Sequence, residues 1–420
     1  MKQKEKTSLK QMVPDLRFPE FQDAGDWEEK KIGDLTDVTA GGTPSTDKAE
    51  YWGGHIPWMN SGDLNQKQVT QVAGRISEKG LKNSSTKLIP KHSILIGLAG
   101  QGKTRGTVAT NLLEVCINQS IGAILPNDSK FYADYLYHNL DGRYSELRNL
   151  SAGDGGRGGL NLSILKNLSL PIPSLTEQQK IADCLSSLDE VISLESQKLQ
   201  SFQSYKKGLL QNLFPAEGET VPKLRFPEFV GKGDWEERKL GDFIIPYSEK
   251  VKSTTEIPVF TSSREGLKPQ KDYYDGREII NEGEYGVVPM GYFVYRHMSD
   301  DGLFRFNFNN LYDRIAVSKE YPVFQTKGMN SYFLLSILNE SSDFKAFALS
   351  QKKGGTRTRL YLNTLNSWET LIPSLPEQQK IADCLSTLDA LIQAQSERVE
   401  GLKSHKKGLL QGLFPVMGDN

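Results

Sequence analysis

Two long segments of the chain place apolar residues at a spacing close to seven, which is typical of coiled-coil helices. Helix-favouring residues run from 175 to 213 and again from 375 to 413. Each run opens with serine and glutamate at capping-box spacing and is followed by a proline that stops a helix. The pattern predicts two helices, each about 57 Å long at about 1.5 Å per residue.

The apolar stripe predicts a seam between these helices, interrupted near each midpoint by one polar residue. If the helices pair in antiparallel orientation along their length, Glu195 meets Gln395 at the centre and Ile181 meets Leu409. A helix that packed only on its own domain would leave its stripe exposed. The predicted seam residues are Ile181, Leu185, Leu188, Ile192, Glu195, Phe202, Ile381, Leu385, Leu388, Ile392, Gln395 and Leu402.

The stretches between the helices, roughly 35–165 and 243–365, alternate short β-rich runs with turn signals. A helical pattern follows in each, FYADYLYHNL in the first stretch and SYFLLSIL in the second. Each stretch is long enough to hold a core of its own. The predicted fold class is α+β: two α/β domains joined by two long antiparallel coiled-coil helices, with an internal pseudo-twofold repeat.

The blocks that flank these stretches are nearly identical copies. VPDLRFPEF returns as VPKLRFPEF, and IPSLTEQQKIADCLSSLD returns as IPSLPEQQKIADCLSTLD. We interpret the copies as parts with a common task and the divergent stretches as carriers of different specificities. The predicted domains are an N-terminal arm with the first variable domain, a central helical region, a second variable domain and a C-terminal helical region, at 1–171, 172–215, 216–371 and 372–420.

Composition narrows the class of protein. No run of eighteen apolar residues occurs, so we expect no membrane span, and the charged N-terminal segment lacks the apolar run of a secretory signal. Three widely spaced cysteines and five scattered histidines argue against a disulfide framework and a zinc site, and favour a cytoplasmic protein. The net charge is −1, so any DNA binding must use local basic patches or partners.

Each variable domain ends in a glycine-rich basic loop, SAGDGGRGGLNL in the first and QKKGGTRTRLYL in the second. Glycine lets a backbone approach a phosphate closely, and arginine can bond a guanine edge through two nitrogens. The alternative for either loop is a solvated segment with no partner. The predicted DNA-binding residues, from these loops and from four shorter segments, are Gly42, Thr43, Ser45, Lys103, Arg105, Arg157, Arg264, Arg296, Lys352, Lys353, Arg357 and Arg359.

Two nucleotide-binding motifs match by letters alone. Gly97–Thr104 fits the P-loop pattern, but the residues that follow predict a strand where a phosphate-binding helix is needed. Gly153–Gly158 fits the dinucleotide fingerprint but follows a helical segment instead of a strand. We therefore predict no catalytic residue, no metal site and no cofactor on this chain.

The repeated LRFPEF and DWEE openings, the GGTPST…YWGGHIPWMNSGDL run and the doubled EQQKIADCLS helices resemble the DNA specificity subunit of type I restriction–modification systems. The resemblance implies two target recognition domains that each read half of a split double-stranded DNA site, with the paired helices as spacer. It also implies partners: two methylation subunits that use S-adenosylmethionine, and restriction or translocase subunits that use ATP and Mg²⁺. The second variable domain lacks the GGTPS…YWGG run, so its contact residues are less firmly placed.

Two rival functions remain open at this stage. One is a nucleotide-using enzyme built on Gly97–Thr104, and the other is a coiled-coil scaffold that binds no DNA. The scaffold explains the duplicated helices but not two divergent domains with basic loops. A spacer function predicts that a four-residue insertion in a shared helix lengthens it by about 6 Å and changes the unread gap of the target.

Overall fold

The computed structural model describes residues 12–100, 103–150, 159–274, 276, 283–352 and 357–415. The chain divides into two compact units: unit 1 comprises Met1–Ser196 with Glu397–Asn420, and unit 2 comprises Gln197–Ser396. Both divisions fall inside a long helix, so each unit holds the first half of one helix and the second half of the other. The sequence-based boundaries at 171–172 and 371–372 fall instead just before each helix begins.

Unit 1 is built on a five-stranded sheet, a four-stranded sheet and a two-stranded ribbon, with orders β2-β10-β7-β8-β4, β5-β3-β9-β6 and β1-β11. The strands are β1 (Glu28–Lys31), β2 (Val38–Ala40), β3 (Trp52–Met59), β4 (Gln68–Val69), β5 (Arg75–Ile76), β6 (Leu88–Ile89), β7 (Ile94–Gly97), β8 (Val108–Asn111), β9 (Val115–Ile117), β10 (Ile121–Ile124) and β11 (Ser169–Ile172). The helices are α1 (Ile32–Leu35), α2 (Glu78–Lys82), α3 (Ala133–Gly142), α4 (Tyr144–Asn149) and α5 (Leu162–Asn167), followed by the long α6 (Leu175–Asn212).

The core of unit 1 lies on both faces of the five-stranded sheet. Ile94 and Ile96 of β7 join a cluster that includes residues of the long helices, whereas Leu95 between them joins a second cluster with Met59. Alternate side chains of a strand point to opposite faces, so a strand buried on both faces carries an unbroken apolar run. This explains why the run ILIGL at 94–98 contains no polar side chain.

Unit 2 contains sheets of order β13-β22-β18-β20 and β14-β17-β21 and the ribbons β12-β24, β15-β16 and β19-β23. The strands are β12 (Glu236–Lys239), β13 (Ile244–Tyr247), β14 (Lys250–Lys252), β15 (Phe260–Ser263), β16 (Gly266–Pro269), β17 (Glu284–Pro289), β18 (Phe293–Tyr295), β19 (Met298–Ser299), β20 (Phe306–Phe308), β21 (Arg314–Ser318), β22 (Val323–Thr326), β23 (Thr358–Arg359) and β24 (Glu369–Ile372). The helices are α7 (Gln270–Tyr273), α8 (Ser331–Glu340), α9 (Ser342–Ser350), α10 (Leu362–Asn366) and the long α11 (Leu375–Leu413).

Aromatic side chains dominate the core of unit 2. Phe293 of β18 stacks on Phe324 of β22 with centroids 4.9 Å apart, and Tyr295 stacks on Phe306 at 4.4 Å. Val294, between them in sequence, faces a separate cluster with Val288. The strand therefore has two buried faces, as β7 has in unit 1, although the sequences of the two strands differ.

The predicted long helices are confirmed to within one residue at their ends. The capping box is only half formed at α6, where the Glu177 amide donates to Ser174 Oγ at 3.3 Å. The Glu177 carboxylate instead accepts hydrogen bonds from Arg17 and Trp27. Spacing alone cannot distinguish a carboxylate that caps its own helix from one that binds another segment.

The duplicated blocks fold alike in the two units. The segment EEKK pairs antiparallel with the strand that precedes α6, Glu28 opposite Ile172, and EERK pairs with the strand that precedes α11, Glu236 opposite Ile372. The copied sequences therefore form a common frame around two different sets of sheets. Among the described helices, none has the length and apolar content that a membrane crossing requires.

Candidate nucleic-acid interface

A buried ion pair fixes the start of each long helix. Arg17 donates from Nε and Nη2 to the two carboxylate oxygens of Glu177, at 2.7 and 2.8 Å, and Trp27 Nε1 donates to Oε1 at 3.3 Å. The carboxylate is 2% exposed, so these three donors compensate its desolvation. Unit 2 repeats the arrangement with Arg225, Glu377 and Trp235 at 2.8, 2.8 and 3.3 Å.

This arrangement explains why LRFPEF, DWEE and EQQK are duplicated together. Each block supplies one member of the same polar cluster: the arginine, the tryptophan and the glutamate. Sequence reasoning missed the cluster because the arginine and the glutamate are 160 residues apart in unit 1 and 152 apart in unit 2. The joint recurrence of the blocks was the signal that could have found it.

Most of the predicted seam residues are buried or partly buried within the two units, beside residues of the other long helix. In unit 1, Ile181 and Leu185 are buried in the cluster against which Leu409 packs. In unit 2, Ile381, Leu385 and Leu388 are buried in the cluster that Phe202 and Ile392 join. Leu188, Ile192 and Leu402 are partly buried.

Charged pairs fix the register beside the seam. In unit 1, Lys406 Nζ lies 2.6 and 2.7 Å from the oxygens of Asp189, and Arg398 Nε lies 2.7 Å from Glu195 Oε1. Residue numbers rise along α6 from 189 to 195 while those of their partners in α11 fall from 406 to 398. The two helical segments therefore run antiparallel within unit 1. The pairing of Glu195 with Arg398 falls three residues from the expected Gln395, and the contact of Glu195 with Gln395 stays a prediction.

The equivalent positions make the same contact in unit 2 with the helices exchanged. Lys206 Nζ of α6 lies 2.6 Å from Asp389 Oδ1 of α11. Each helix therefore offers its aspartate in one unit and its lysine in the other. This exchange of roles between the two helices is what a pseudo-twofold repeat predicts.

A buried histidine lies against this pair in unit 1. His138 Nε2 is 3.0 Å from Ser186 Oγ, and its Nδ1 is 3.9 Å from Asp189 Oδ2. Burial, with a smaller contribution from the charge of Lys406, lowers the pKa of His138 to about 3. The imidazole is therefore neutral at physiological pH. In unit 2, the corresponding aspartate, Asp389, accepts a hydrogen bond from the Tyr332 hydroxyl.

The GGTPST segment of unit 1 forms a local packing unit with the two tryptophans that follow it. Trp58 Nε1 donates to the Gly42 carbonyl and Trp52 Nε1 to the Ser45 carbonyl, each at 3.1 Å. A Cβ on Gly42 would lie 2.8 Å from the Thr86 amide nitrogen, so the glycine permits a close approach of two backbones. Gly42 is buried, Thr43 is partly buried and only Ser45 of these three is exposed.

The turn between β7 and β8 carries two further predicted contacts, Lys103, which is exposed, and Arg105, which is partly buried. The Lys103 carbonyl accepts from Thr107 Oγ1 at 2.7 Å and from Tyr144 Oη at 3.1 Å, which fixes the turn. The strand β8 follows this turn, as predicted when the P-loop was rejected.

Four of the predicted arginines in unit 2 lie on three segments that approach one another. Arg357 bonds Asp300 and Arg264 bonds Asp301, and Arg359 lies opposite Met298 in the β19–β23 ribbon. Arg264, Arg296, Arg357 and Arg359 are all exposed, as is Lys352. Arg157 and Lys353 lie outside the described residues.

Sequence reasoning did not assign a role to the aspartates of this region. Asp301 accepts from Arg264, from Ser299 Oγ at 2.7 Å and from the Leu303 amide at 3.1 Å. These bonds, that of Arg264 first, hold the pKa of Asp301 far below its usual range. Beside them the exposed ring of Tyr361 stacks on His297 with centroids 5.5 Å apart.

Comparison of the sequence with known protein families identifies the family to which this chain belongs. The profile described as "Type I restriction modification DNA specificity domain" matches residues 24–203 and 232–403. The chain belongs to this family. The two matches follow the two copies of the repeat, so the duplicated frame and the divergent sheets together make up two specificity domains.

Individual relatives agree with this assignment. The type I restriction enzyme MjaIX specificity subunit of Methanocaldococcus jannaschii is 33% identical over 56% of this chain and 54% of its own length. The MjaVIII specificity subunit of the same organism is 24% identical over 95% of this chain and 93% of its own length. The chain thus spans about half of the first relative and nearly all of the second.

Solved structures show the same fold. The S subunit of a type I restriction–modification system from M. genitalium superposes with a TM-score of 0.59 over 97% of this chain and 100% of its own, at 17% identity. A chain from a study of type I R-M complex assembly and conformational transition gives 0.53 over 93% and 97%, at 15% identity. These two structures share the fold of this chain although fewer than one residue in five is identical.

Proposed function

We propose that this chain recognises a split, asymmetric DNA sequence, each unit reading one half. The observation that carries the proposal is a common frame around unlike sheets. Arg17–Glu177–Trp27 and Arg225–Glu377–Trp235 have nearly the same geometry, whereas the five-stranded sheet of unit 1 has no copy among the described residues of unit 2. Two readers with different surfaces favour two different half-sites.

The chemistry of the exposed side chains supports duplex DNA as the target. In unit 2, Arg264, Arg296, Arg357 and Arg359 lie on neighbouring segments. Arginine forms charge-assisted bonds to phosphates and bidentate bonds to guanine. In unit 1 the corresponding proposal rests on Lys103, Arg105 and Ser45, with Gly42 assigned to packing.

We assign catalysis to partner subunits. A net charge of −1 favours a shared DNA contact, in which methylation subunits supply positive charge. The partners in this proposal are two methylation subunits and the restriction or translocase subunits. S-adenosylmethionine, ATP and Mg²⁺ would be bound there, and the complex would be cytoplasmic.

The paired helices act as the spacer in this proposal. Each is one continuous element of 38 or 39 residues, and each contributes to both units. Charged pairs fix the register in each unit, which favours one separation between the half-sites over a range of separations.

Mapping of methylated adenines tests the function directly. The chain would be co-expressed with its methylation subunit, and the modified adenines located across a genome. We expect one motif with two unlike halves and a constant gap. A motif that is continuous or palindromic, or methylation without sequence preference, would contradict the proposal.

A further inference from the structure

Three segments of unit 2 meet at the turn that follows β19. Arg357 Nε donates to Asp300 Oδ1 at 2.8 Å, and Arg264 Nη2 donates to Asp301 Oδ1 at 2.5 Å. Arg357 directly precedes β23, and Arg264 lies in the turn between β15 and β16. We refer to Arg264, Asp300, Asp301 and Arg357 as the arginine–aspartate cluster.

The backbone beneath the cluster is held in place. Ser299, one residue before the cluster, pairs with Thr358 in the β19–β23 ribbon, and its hydroxyl donates to Asp301. Asn307 Nδ2 donates to Ser262 Oγ at 2.8 Å and to the Ser263 carbonyl at 3.0 Å, which ties the β15–β16 turn to β20. The two aspartates are thus presented by a supported turn.

Stability does not account for the cluster. The side chains of Arg357 and Asp300 are 55% and 80% exposed, and those of Arg264 and Asp301 are 63% and 46% exposed. Exposed ion pairs contribute little to the free energy of unfolding because solvent screens them and side-chain entropy opposes them. Two such pairs on adjacent residues of one turn need another explanation.

The geometry of the Arg357 pair suits base reading. Its ion pair uses Nε, so the two terminal nitrogens, which make a bidentate bond to guanine O6 and N7, are not used in that contact. A carboxylate that holds Nε restricts rotation of the guanidinium and lowers the entropy lost on binding. The carboxylate also repels phosphate, which weakens binding to DNA that offers no guanine at this position.

We propose that Asp300 is a positioning residue that orients Arg357 toward guanine in the half-site read by unit 2. The proposal rests on the proposed function and names the base chemistry that unit 2 selects. It makes the turn after β19 a determinant of specificity.

The test compares Asp300→Asn with wild-type chain in complex with the methylation subunits. The probes are duplexes that carry the mapped target, and duplexes with single G·C pairs replaced in either half. We expect Asp300→Asn to lower discrimination at one guanine of the unit 2 half-site about tenfold. Discrimination in the other half-site should stay unchanged, and binding to non-cognate duplex should become tighter.

Glu265→Gln is the matched control. Glu265 is exposed, adjoins Arg264 in sequence and pairs with Lys268, so the variant removes the same charge without touching either aspartate. We expect it to change binding to all probes by one common factor. Asp300→Asn behaving in the same uniform way would overturn the proposal. A wild-type complex that binds every probe equally would instead contradict the proposed function itself.

Discussion

At the scale of residues, the two copies of the repeat share an aspartate–lysine ion pair but differ in the side chain that lies beside it. Asp189 and Asp389 each bind a lysine of the other long helix. Beside them, unit 1 places a neutral histidine and unit 2 a tyrosine hydroxyl. Each of these two aspartates therefore contacts both the other long helix and a side chain of a variable domain.

His138→Gln tests the buried histidine. The unfolded chain binds a proton near pH 6.5, whereas the folded chain resists protonation down to about pH 3, so lowering the pH favours unfolding. At pH 5 the difference is about 2 kcal/mol. Glutamine can keep a hydrogen bond to Ser186 without titrating.

Urea unfolding at pH 7.5 and at pH 5 measures this effect. We expect the wild-type chain to lose about 2 kcal/mol more than His138→Gln between the two conditions. Equal losses in the two proteins would show that His138 titrates in the folded state as it does in the unfolded chain.

Arg357→Ala tests base reading by one side chain. A bidentate arginine contact to guanine contributes about 1–3 kcal/mol of discrimination. We expect the variant to relax selection at one position of one half-site, measured by competition binding with single-substituted duplexes. A similar loss of affinity for every sequence would instead identify Arg357 as a phosphate contact.

At the scale of elements, sequence predicted what repeats locally and missed what joins distant segments. The sevenfold stripe predicted the helices α6 and α11 because helical periodicity is a local property. The hydrogen bonds of Arg17 to Glu177 and of Arg357 to Asp300 join residues that are far apart in the sequence. The spacing of residues within one segment cannot predict such contacts. Gly42 shows a further limit, since a glycine that permits close packing reads like one that admits a phosphate.

Charge reversal tests the pairing of the helices. The Lys406 side chain is 13% exposed and that of Asp189 is 27% exposed, so Lys406→Asp sets two carboxylates together with little solvent between them. Breaking a mostly buried pair costs about 3–5 kcal/mol, and we expect a loss of that order in urea unfolding.

The double variant Lys406→Asp with Asp189→Lys should recover at least half of that loss, because the ion pair forms with its partners exchanged. Lys403→Asp is the control, since Lys403 is exposed and pairs within its own helix with Glu400. No recovery in the double variant would show that the two residues do not act on one another.

At the scale of the whole molecule, a duplicated frame carries two different sets of sheets. Each long helix is continuous, and each unit contains the first part of one long helix and the last part of the other. In the proposed function, half-site sequence and half-site spacing are separate properties: the sheets set the first, and helix length sets the second.

The most direct measurement of this separation is adenine-methylation mapping with a chain lengthened by one heptad in both helices. Seven added residues preserve the seam and lengthen each helix by about 10.5 Å, which corresponds to about three base pairs of duplex. We predict that both half-site sequences stay unchanged while the gap between them grows by about three base pairs. An unchanged gap, or altered half-site sequences with the gap retained, would contradict the account.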